Sequence, residues 1–520
     1  MGRGGTGTAH KLAALVAITI AAVLTPQPSP ASASGVIVTA IGAARTHVCA
    51  VTDTGGLKCW GSNGSGQLGD GSLFIRSVPV DVVGLDSGVA AVDPGWNHTC
   101  AVTTEGGAKC WGWNIFGQLG VTGVECVLPN GGSIACSNVP VDVEGLESGV
   151  AAVSGGNFHT CALTTAGGVQ CWGNNSVGQL GDGTTTSRFT PADVPGLTSG
   201  VAAVIAGFDH TCALTTAGGV KCWGDNIVNA LGAESSETCI SAFGDPHACS
   251  TTPLDVETLD SGVTALSARA THTCALTQAG GVRCWGNNVN GQLGDGTFGN
   301  NRRTPEDVLA APGGPPLTGV AALASGGLHT CALTTAGGVK CWGSNVLGTV
   351  GDGDTNPKER PIPVDVCQFY DAGAQQCAEL FAGATAVTAG LAHSCALTTV
   401  GGVKCWGTNC CGNLGIGTLD GQPHPVPVDV VGLGPKPTPT PTATQTPAAP
   451  AGTPTATETA PSPPAATPTP TAANSVTLPR TGISGGGRGS VAPWAVAALA
   501  GAGAAAAGYA ALRLRRHQVR

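Results

Sequence analysis

Charged and aromatic side chains are scarce in this chain. Charged residues make up 11% of its 520 positions and aromatics 4%, and there is a single methionine. An ordinary globular protein carries about 25% charge. Few charges combined with 82 glycines argue against a helical protein, because glycine weakens helices and suits turns. Basic residues are especially few, 23 against 32 acidic, for a net charge of −9. Seven of them (Arg3, Lys11, Arg488, Arg513, Arg515, Arg516 and Arg520) lie in terminal segments that look removable, which leaves 16 basic against 32 acidic groups, or −16. That balance excludes nucleic-acid binding and attraction to an anionic membrane surface, both of which need basic patches. The length leaves room for a large core.

Both ends read as addresses. In residues 1–33, Arg3 and Lys11 give a positive start and Leu12 to Leu24 a short apolar run. Ala31-Ser32-Ala33 is a small-residue cleavage site, with the cut expected between Ala33 and Ser34. This is the order of parts in a secretory signal peptide. At the other end Leu478-Pro479-Arg480-Thr481-Gly482 precedes an apolar stretch, Val491 to Leu512, and then Arg513, Arg515 and Arg516. Residues 478–520 resemble the LPXTG cell-wall sorting signal of bacterial surface proteins. The resemblance implies that a sortase cuts between Thr481 and Gly482 and joins the Thr481 carbonyl to peptidoglycan. The apolar run is long enough to span a bilayer, so an uncut, outward-facing membrane anchor stays open as the alternative. Residues 435–477 are dominated by Thr, Pro and Ala. Proline fixes φ and removes backbone donors, so this segment is expected to be extended. At about 3.1 Å per residue it would reach on the order of 130 Å, a stalk with a composition suited to O-glycosylation.

Residues 34–434 repeat one phrase seven times: His-x-Cys-Ala, a short turn, then Cys-Trp-Gly. The histidines are His47, His98, His159, His210, His272, His329 and His393, at intervals of 51 to 64 residues. Self-similarity at such a period signals a propeller or solenoid. One unit shows the plan. Val150 to Val153, His159 to Thr164, Val169 to Trp172 and Pro191 to Val194 read as four short strands separated by glycine-rich turns, the makings of a propeller blade. The phrases, together with Gly-Gln-Leu-Gly loops such as 66–69 and 178–181, resemble the repeats of the regulator of chromosome condensation family, which are seven-bladed propellers. An all-β seven-bladed head is therefore expected. Val36 to Ile41 and Val426 to Val431 are expected to share a blade as a closing clasp.

Cysteine spacing fits an oxidising exterior. Cys49–Cys59, Cys100–Cys110, Cys161–Cys171, Cys212–Cys222, Cys274–Cys284, Cys331–Cys341 and Cys395–Cys405 recur as Cys-x9-Cys. A hairpin centred on Thr54 places Cys49 directly opposite Cys59, within disulfide reach. Three inserts repeat the spacing, at Cys126–Cys136, Cys239–Cys249 and Cys367–Cys377. The remaining Cys410 and Cys411 are adjacent and are expected to form a vicinal disulfide. Zinc is disfavoured because short two-to-four-residue ligand spacing is missing, and secretion favours disulfides.

Chemistry is mostly absent. One histidine per blade in one phrase points to a shared structural hydrogen bond rather than a metal or catalytic group. The seven repeat tryptophans (Trp60, Trp111, Trp172, Trp223, Trp285, Trp342 and Trp406) are expected to pack between blades rather than serve as a chromophore. Trp96 and Trp113 lie outside the phrase and are candidates for partner contact. Residues 64–69 match a dinucleotide fingerprint by letters but lack its strand–helix context, and the hydrolase-elbow pattern occurs only at 482–486, in the tail. Asp352-Gly353-Asp354-Thr355-Asn356 resembles the start of a calcium loop, but its twelfth position is Pro363. No catalytic set, cofactor site or metal site emerges.

The reading is a non-enzymatic binding module: a monomeric, disulfide-stapled propeller on a stalk at the bacterial surface, holding an extracellular protein or glycan through its loops. The three insert hairpins are contact candidates. A secreted inhibitor, resembling the beta-lactamase inhibitory propeller, is the alternative. The family resemblance also implies guanine-nucleotide exchange with histone and DNA contacts, a setting at odds with a secretory signal, disulfides and an acidic head.

Overall fold

The computed structural model describes residues 35–128, 131–241, 244–354, 356 and 358–435. The leader, all but the first residue of the stalk and the motif Leu478–Gly482 lie outside the described residues. Seven antiparallel sheets make a seven-bladed propeller, each containing four strands in simple up-and-down order. Blade 1 runs Val38–Ala43, His47–Thr52, Leu57–Gly61 and Arg76–Asp81 from the channel outward, and blade 3 runs Val150–Gly155, His159–Thr164, Val169–Gly173 and Arg188–Asp193. The outer strand of blade 3 begins earlier than its sequence suggests, because Arg188 pairs with Gly173 across a bulge.

Burial follows strand position. The His-x-Cys-Ala strand is buried along nearly its whole length, whereas the outer strand is half-exposed. Its hairpin turn explains the register of the cysteines. Gly55 takes φ +76°, which favours glycine, and Thr52 Oγ1 accepts the Gly56 N–H. The resulting five-residue turn sets Cys49 opposite Cys59, and the same pairing recurs in every blade. Ten disulfides join the chain, seven of them these cross-strand pairs.

The core is a stack of inter-blade clusters. Trp111 of blade 2 enters the cluster of Cys49, Cys59 and Leu68 of blade 1, and Trp60 of blade 1 enters that of Cys395, Leu397 and Leu414 of blade 7. All seven repeat tryptophans are fully buried. Burying an indole removes about 150–250 Å² from water, worth roughly 4–6 kcal/mol at about 25 cal/mol per Å². These seven contacts therefore dominate blade stacking.

Ring closure differs from the expected clasp. Val38–Ala43 belongs to blade 1 and Pro423–Asp429 is the outer strand of blade 7, so each blade comes from one continuous stretch. The first repeat already carries its own inner strand and the last its own outer strand, so no sheet needs a strand from the far end. Among the described residues, the first and last segments of the head are joined by a parallel bridge between Val36 and Leu433, with Gly434 N–H donating to the Val36 carbonyl.

The inserts also separate into two kinds. Glu125–Val127 and Glu237–Ile240 add a fifth strand to blades 2 and 4, between third and outer strands in sequence. Cys367–Asp371 and Gln376–Leu380 form a separate two-stranded sheet between blades 6 and 7, where the chain leaves a blade at its opposite end. In the two fifth-strand inserts the bonded cysteines are diagonal rather than facing, since Cys126 pairs with Ile134 and Cys239 with His247. Cys410 and Cys411, expected to be bonded, are free thiols with sulfurs 2.8 Å apart. Neighbouring residues share one peptide plane, and a bond between their sulfurs forces that plane from its relaxed geometry.

Candidate binding face

The repeat histidines are bolts between blades. His47 Nε2 meets Thr99 Oγ1 of the next blade at 2.9 Å, and Thr99 Oγ1 donates to the Gln67 carbonyl of His47's own blade. Trp111 Nε1 donates to that same carbonyl at 3.0 Å. The threonine hydroxyl has one proton, and the carbonyl takes it. His47 must therefore donate from Nε2 as a neutral imidazole. The pattern recurs for His98, His159, His210 and His272, and His329 Nε2 meets Ser394 Oγ at 2.8 Å. Burial is the main cause that pushes His47, His98, His159, His272, His329 and His393 down to about 3, and His210 to about 4. Neutral and enclosed, these rings serve structure, six of them through the Nε2 bond to the next blade.

The glycine-rich loop belongs to the same bolt. Leu68 N–H bonds Asn63 Oδ1, and Gln67 Oε1 accepts Ser65 N–H. Gly69 takes φ +70°, and a Cβ there would lie 2.7 Å from Trp111 Nε1. The loop's glycine thus makes room for an indole, not a phosphate. Asp352, the first residue of the calcium-like stretch, receives Arg360 Nε and Asn345 Nδ2. Asp70, Asp182 and Asp295 hold Arg76, Arg188 and Arg302 in the same way. Among the described residues no group of three His, Cys, Asp or Glu side chains could hold a metal ion.

What varies from blade to blade gathers at one end of the channel. The short turns between first and second strands bring Arg45, Trp96, Phe158, Phe208, Asp209 and Arg269 to this mouth. Backbone bonds link several turns: Trp96 N to Gly156 O, Asn157 N to Phe208 O, and Phe208 N to Ala270 O. Trp96 stands edge-on to Phe208 at 4.8 Å, and the Arg45 guanidinium lies 4.9 Å from the Trp96 ring. Trp113 and Phe116 meet Phe158 at 5.4 and 5.2 Å. Arg269 of blade 5 reaches across to blade 2, donating to the Pro94 carbonyl at 2.6 Å and to Asp93 Oδ1 at 3.3 Å. Asp93 Oδ2 accepts Ser154 Oγ and Gly155 N of blade 3. The channel is thereby crossed rather than open, and its remaining lining is mostly aliphatic, from Ala40, Ala152 and Ala386 to Ile205, Leu266 and Leu323.

Beside this mouth lies an acidic cluster. His247, brought by the blade 4 insert, bonds Asp225 Oδ1 at 3.1 Å, which holds its imidazole above the usual range. Burial, and then the neighbouring Asp225, raise Asp209 to about 7. Farther out on the same end, Ile115, Ile227, Val289 and Val346 occupy one repeat position, after the loop asparagine, and are 41–50% exposed.

Of the sequence candidates, Trp96 and Trp113 lie on this face. The insert at Cys126–Cys136 rises beside it, and that at Cys239–Cys249 supplies His247. The insert at Cys367–Cys377 leaves from the other end. Arg45, Phe208, Asp209 and Arg269 were missed. Their signal was available: the residues just before each repeat histidine differ between blades while the phrase after them does not.

Residues 2–314 match the RCC1-like domain, and 320–349 and 384–413 match the regulator of chromosome condensation (RCC1) repeat. The chain belongs to the RCC1-like family. The ultraviolet-B receptor UVR8 of Arabidopsis thaliana is 28% identical over 382 residues, covering 72% of this chain and 78% of the receptor. Human E3 ubiquitin-protein ligase HERC2 is 30% identical over 357 residues, 67% of this chain but 7% of the ligase. Among solved structures, Prp20p of Saccharomyces cerevisiae aligns with a TM-score of 0.58 at 21% identity, covering 76% of this chain and 87% of that one. In this RCC1-like propeller the repeat phrase builds the ring, and the unlike residues gather at one mouth of the channel.

Proposed function

We propose that this RCC1-like propeller is a non-enzymatic binding module displayed at the bacterial surface. It recognises an extracellular protein or glycan through the face that carries Trp96, Phe208 and the exposed ring of Ile115, Ile227, Val289 and Val346. One observation carries the reading: four of seven equivalent positions on one end hold an exposed aliphatic residue, around a mouth whose aromatic and charged residues do not repeat. Exposed apolar residues gathered on one face mark an interaction site. The test is a panel of extracellular proteins and glycans probed with the full chain. Capture should fall at least tenfold in an Ile115→Asp, Ile227→Asp double variant with unchanged melting temperature. Equal loss from Asp86→Lys, in a turn at the opposite end, would overturn the assignment.

An inhibitor of a secreted enzyme is the second reading. It is favoured by the aromatic contacts of Trp96, Trp113, Phe116, Phe158 and Phe208 on that same face, and protein hits restricted to enzymes would select it. Display follows from sortase cleavage after Thr481 and attachment to peptidoglycan. Mass spectrometry of wall digests should find chains ending at Thr481 joined to wall fragments, whereas mature protein retaining Ile483 would indicate the membrane anchor.

A further inference from the structure

The seventh blade departs from its fellows in the loop after its third strand. Where four blades carry Gly-Gln-Leu-Gly, this loop reads Cys410-Cys411-Gly412-Asn413-Leu414-Gly415. Cys410 takes the repeat position held by Ile115, Ile227, Val289 and Val346, and like them it is exposed. The other 20 cysteines of the chain are paired in ten disulfides, and these two alone are thiols. Their sulfurs stand 2.8 Å apart.

The pair is asymmetric and well placed. Cys411 N–H donates to Asn413 Oδ1 at 3.4 Å, and Asn413 Nδ2 donates to the Thr408 carbonyl at 2.7 Å, which fixes the loop. Its Asn413 carbonyl accepts Trp60 Nε1 at 3.0 Å, so the loop is also tied to blade 1. From blade 1 come two further groups that favour a thiolate on Cys411, the Ser62 side chain and the Arg45 guanidinium. The hydrogen bond from Cys410 is the largest influence and, with them, draws the Cys411 thiol down to about 6 against the effect of burial. The same contact pushes Cys410 up. Cys410 points its proton towards Cys411, whose anion Ser62 and Arg45 favour, the division that a nucleophile and a resolving cysteine require.

We propose that Cys411 and Cys410 form a thiol–disulfide exchange site that takes low-molecular-weight disulfides as its substrates. The Cys411 thiolate attacks one sulfur of the small disulfide, forms a mixed disulfide and expels the other half as a thiolate. Cys410 then gives its proton to that thiolate and attacks Cys411 Sγ, expelling the second half, which takes its proton from solvent. Two electrons pass from the pair to the small disulfide, which leaves as two thiols, and the pair closes into a vicinal disulfide. Excess small thiol runs both steps backward. The site lies beside Arg45, so the exchange alters the rim of the face that carries Trp96.

The test uses the undenatured full chain with glutathione disulfide as the probe. After mild reduction, iodoacetamide should label Cys410 and Cys411 and spare the fully buried repeat pairs. Treatment with glutathione disulfide should remove both labelling sites, release two glutathiones per chain and lower the chain mass by two hydrogens. Cys410→Ser should stop at the first step, with glutathione held on Cys411. Cys411→Ser should react roughly tenfold or more slowly, because the remaining thiol lacks the anion. Equal rates for the two single variants would overturn the proposal. So would a wild-type pair that stays reduced in glutathione disulfide, or one that stays oxidised in excess glutathione.

Discussion

A histidine enclosed in a blade interface, as all seven repeat histidines are and six of them with Nε2 on a hydroxyl of the next blade, has no use for a second proton. The seven repeat imidazoles protonate near 3 to 4 in the fold, against an ordinary 6.5. Between those values the unfolded chain binds more protons than the folded one, so stability is full above about pH 6.5 and falls as pH drops towards 3. The slope is at most about 1.4 kcal/mol per histidine for each pH unit. Asp209, raised to about 7, and His247, also raised, act in the opposite sense, since their contributions are lost as pH rises. Two such groups do not offset seven. The melting temperature should therefore fall steeply between pH 7 and pH 4.5. A flat profile over that range would show that the histidines are not held neutral inside the ring.

At the scale of the element, the hairpin and its cystine make the unit of stability. Cys161 and Cys171 face each other in mid-blade, both fully buried. Their bond closes a loop of about eleven residues, worth about 2–3 kcal/mol on the chain-entropy model. A Cys161→Ala, Cys171→Ala double variant should lower the melting temperature by several degrees. The corresponding double variant at Cys126 and Cys136 should leave the ring's transition in place, because that hairpin extends a sheet edge that blades 1 and 3 do without. Equal losses would mean that the insert is part of the cooperative core. The two hairpins also mark what the sequence could tell. Facing cysteines at 49 and 59 follow from local turn geometry, which a sequence displays directly. The diagonal pairing of Cys126 with Cys136 depends on where Glu125–Val127 meets Ser133–Asp142, a register set by tertiary contact. Likewise each repeat histidine was legible as structural, but its acceptor was not, because that hydroxyl belongs to the next blade. Arg269 was less legible still, since its partners in blade 2 lie 175 or more positions away.

At the scale of the whole molecule, the ring is uneven. Six junctions carry the histidine bolt. The junction between blades 7 and 1 lacks it, because the position of Thr99 is occupied by Val48, and His393 Nε2 is left buried without a partner among the described residues. The junction between blades 6 and 7 lacks the tryptophan bolt instead. There the loop contains a short 3-10 turn, Val346–Gly348, with Leu347 at φ +67°, and Trp406 Nε1 finds no acceptor among the described residues. Blade 7 is thus short of one bond on each side, and a buried unmade hydrogen bond costs about 1–3 kcal/mol. The ring should open first here, so amides of Ala384–Ala389 and Val38–Ala43 should exchange faster than those of Val150–Gly155. Val48→Thr offers a direct check. The new hydroxyl would accept from His393 Nε2 and donate to the Asn413 carbonyl, which already takes Trp60 Nε1 in the manner of Gln67. The variant should gain about 1 kcal/mol and slow exchange at the seam, while Thr211→Val, which strands His159, should lose about 1–3 kcal/mol. If Val48→Thr destabilises the ring while Thr211→Val costs nothing, the bolts do not hold the blades, and closure rests on the packed tryptophans alone.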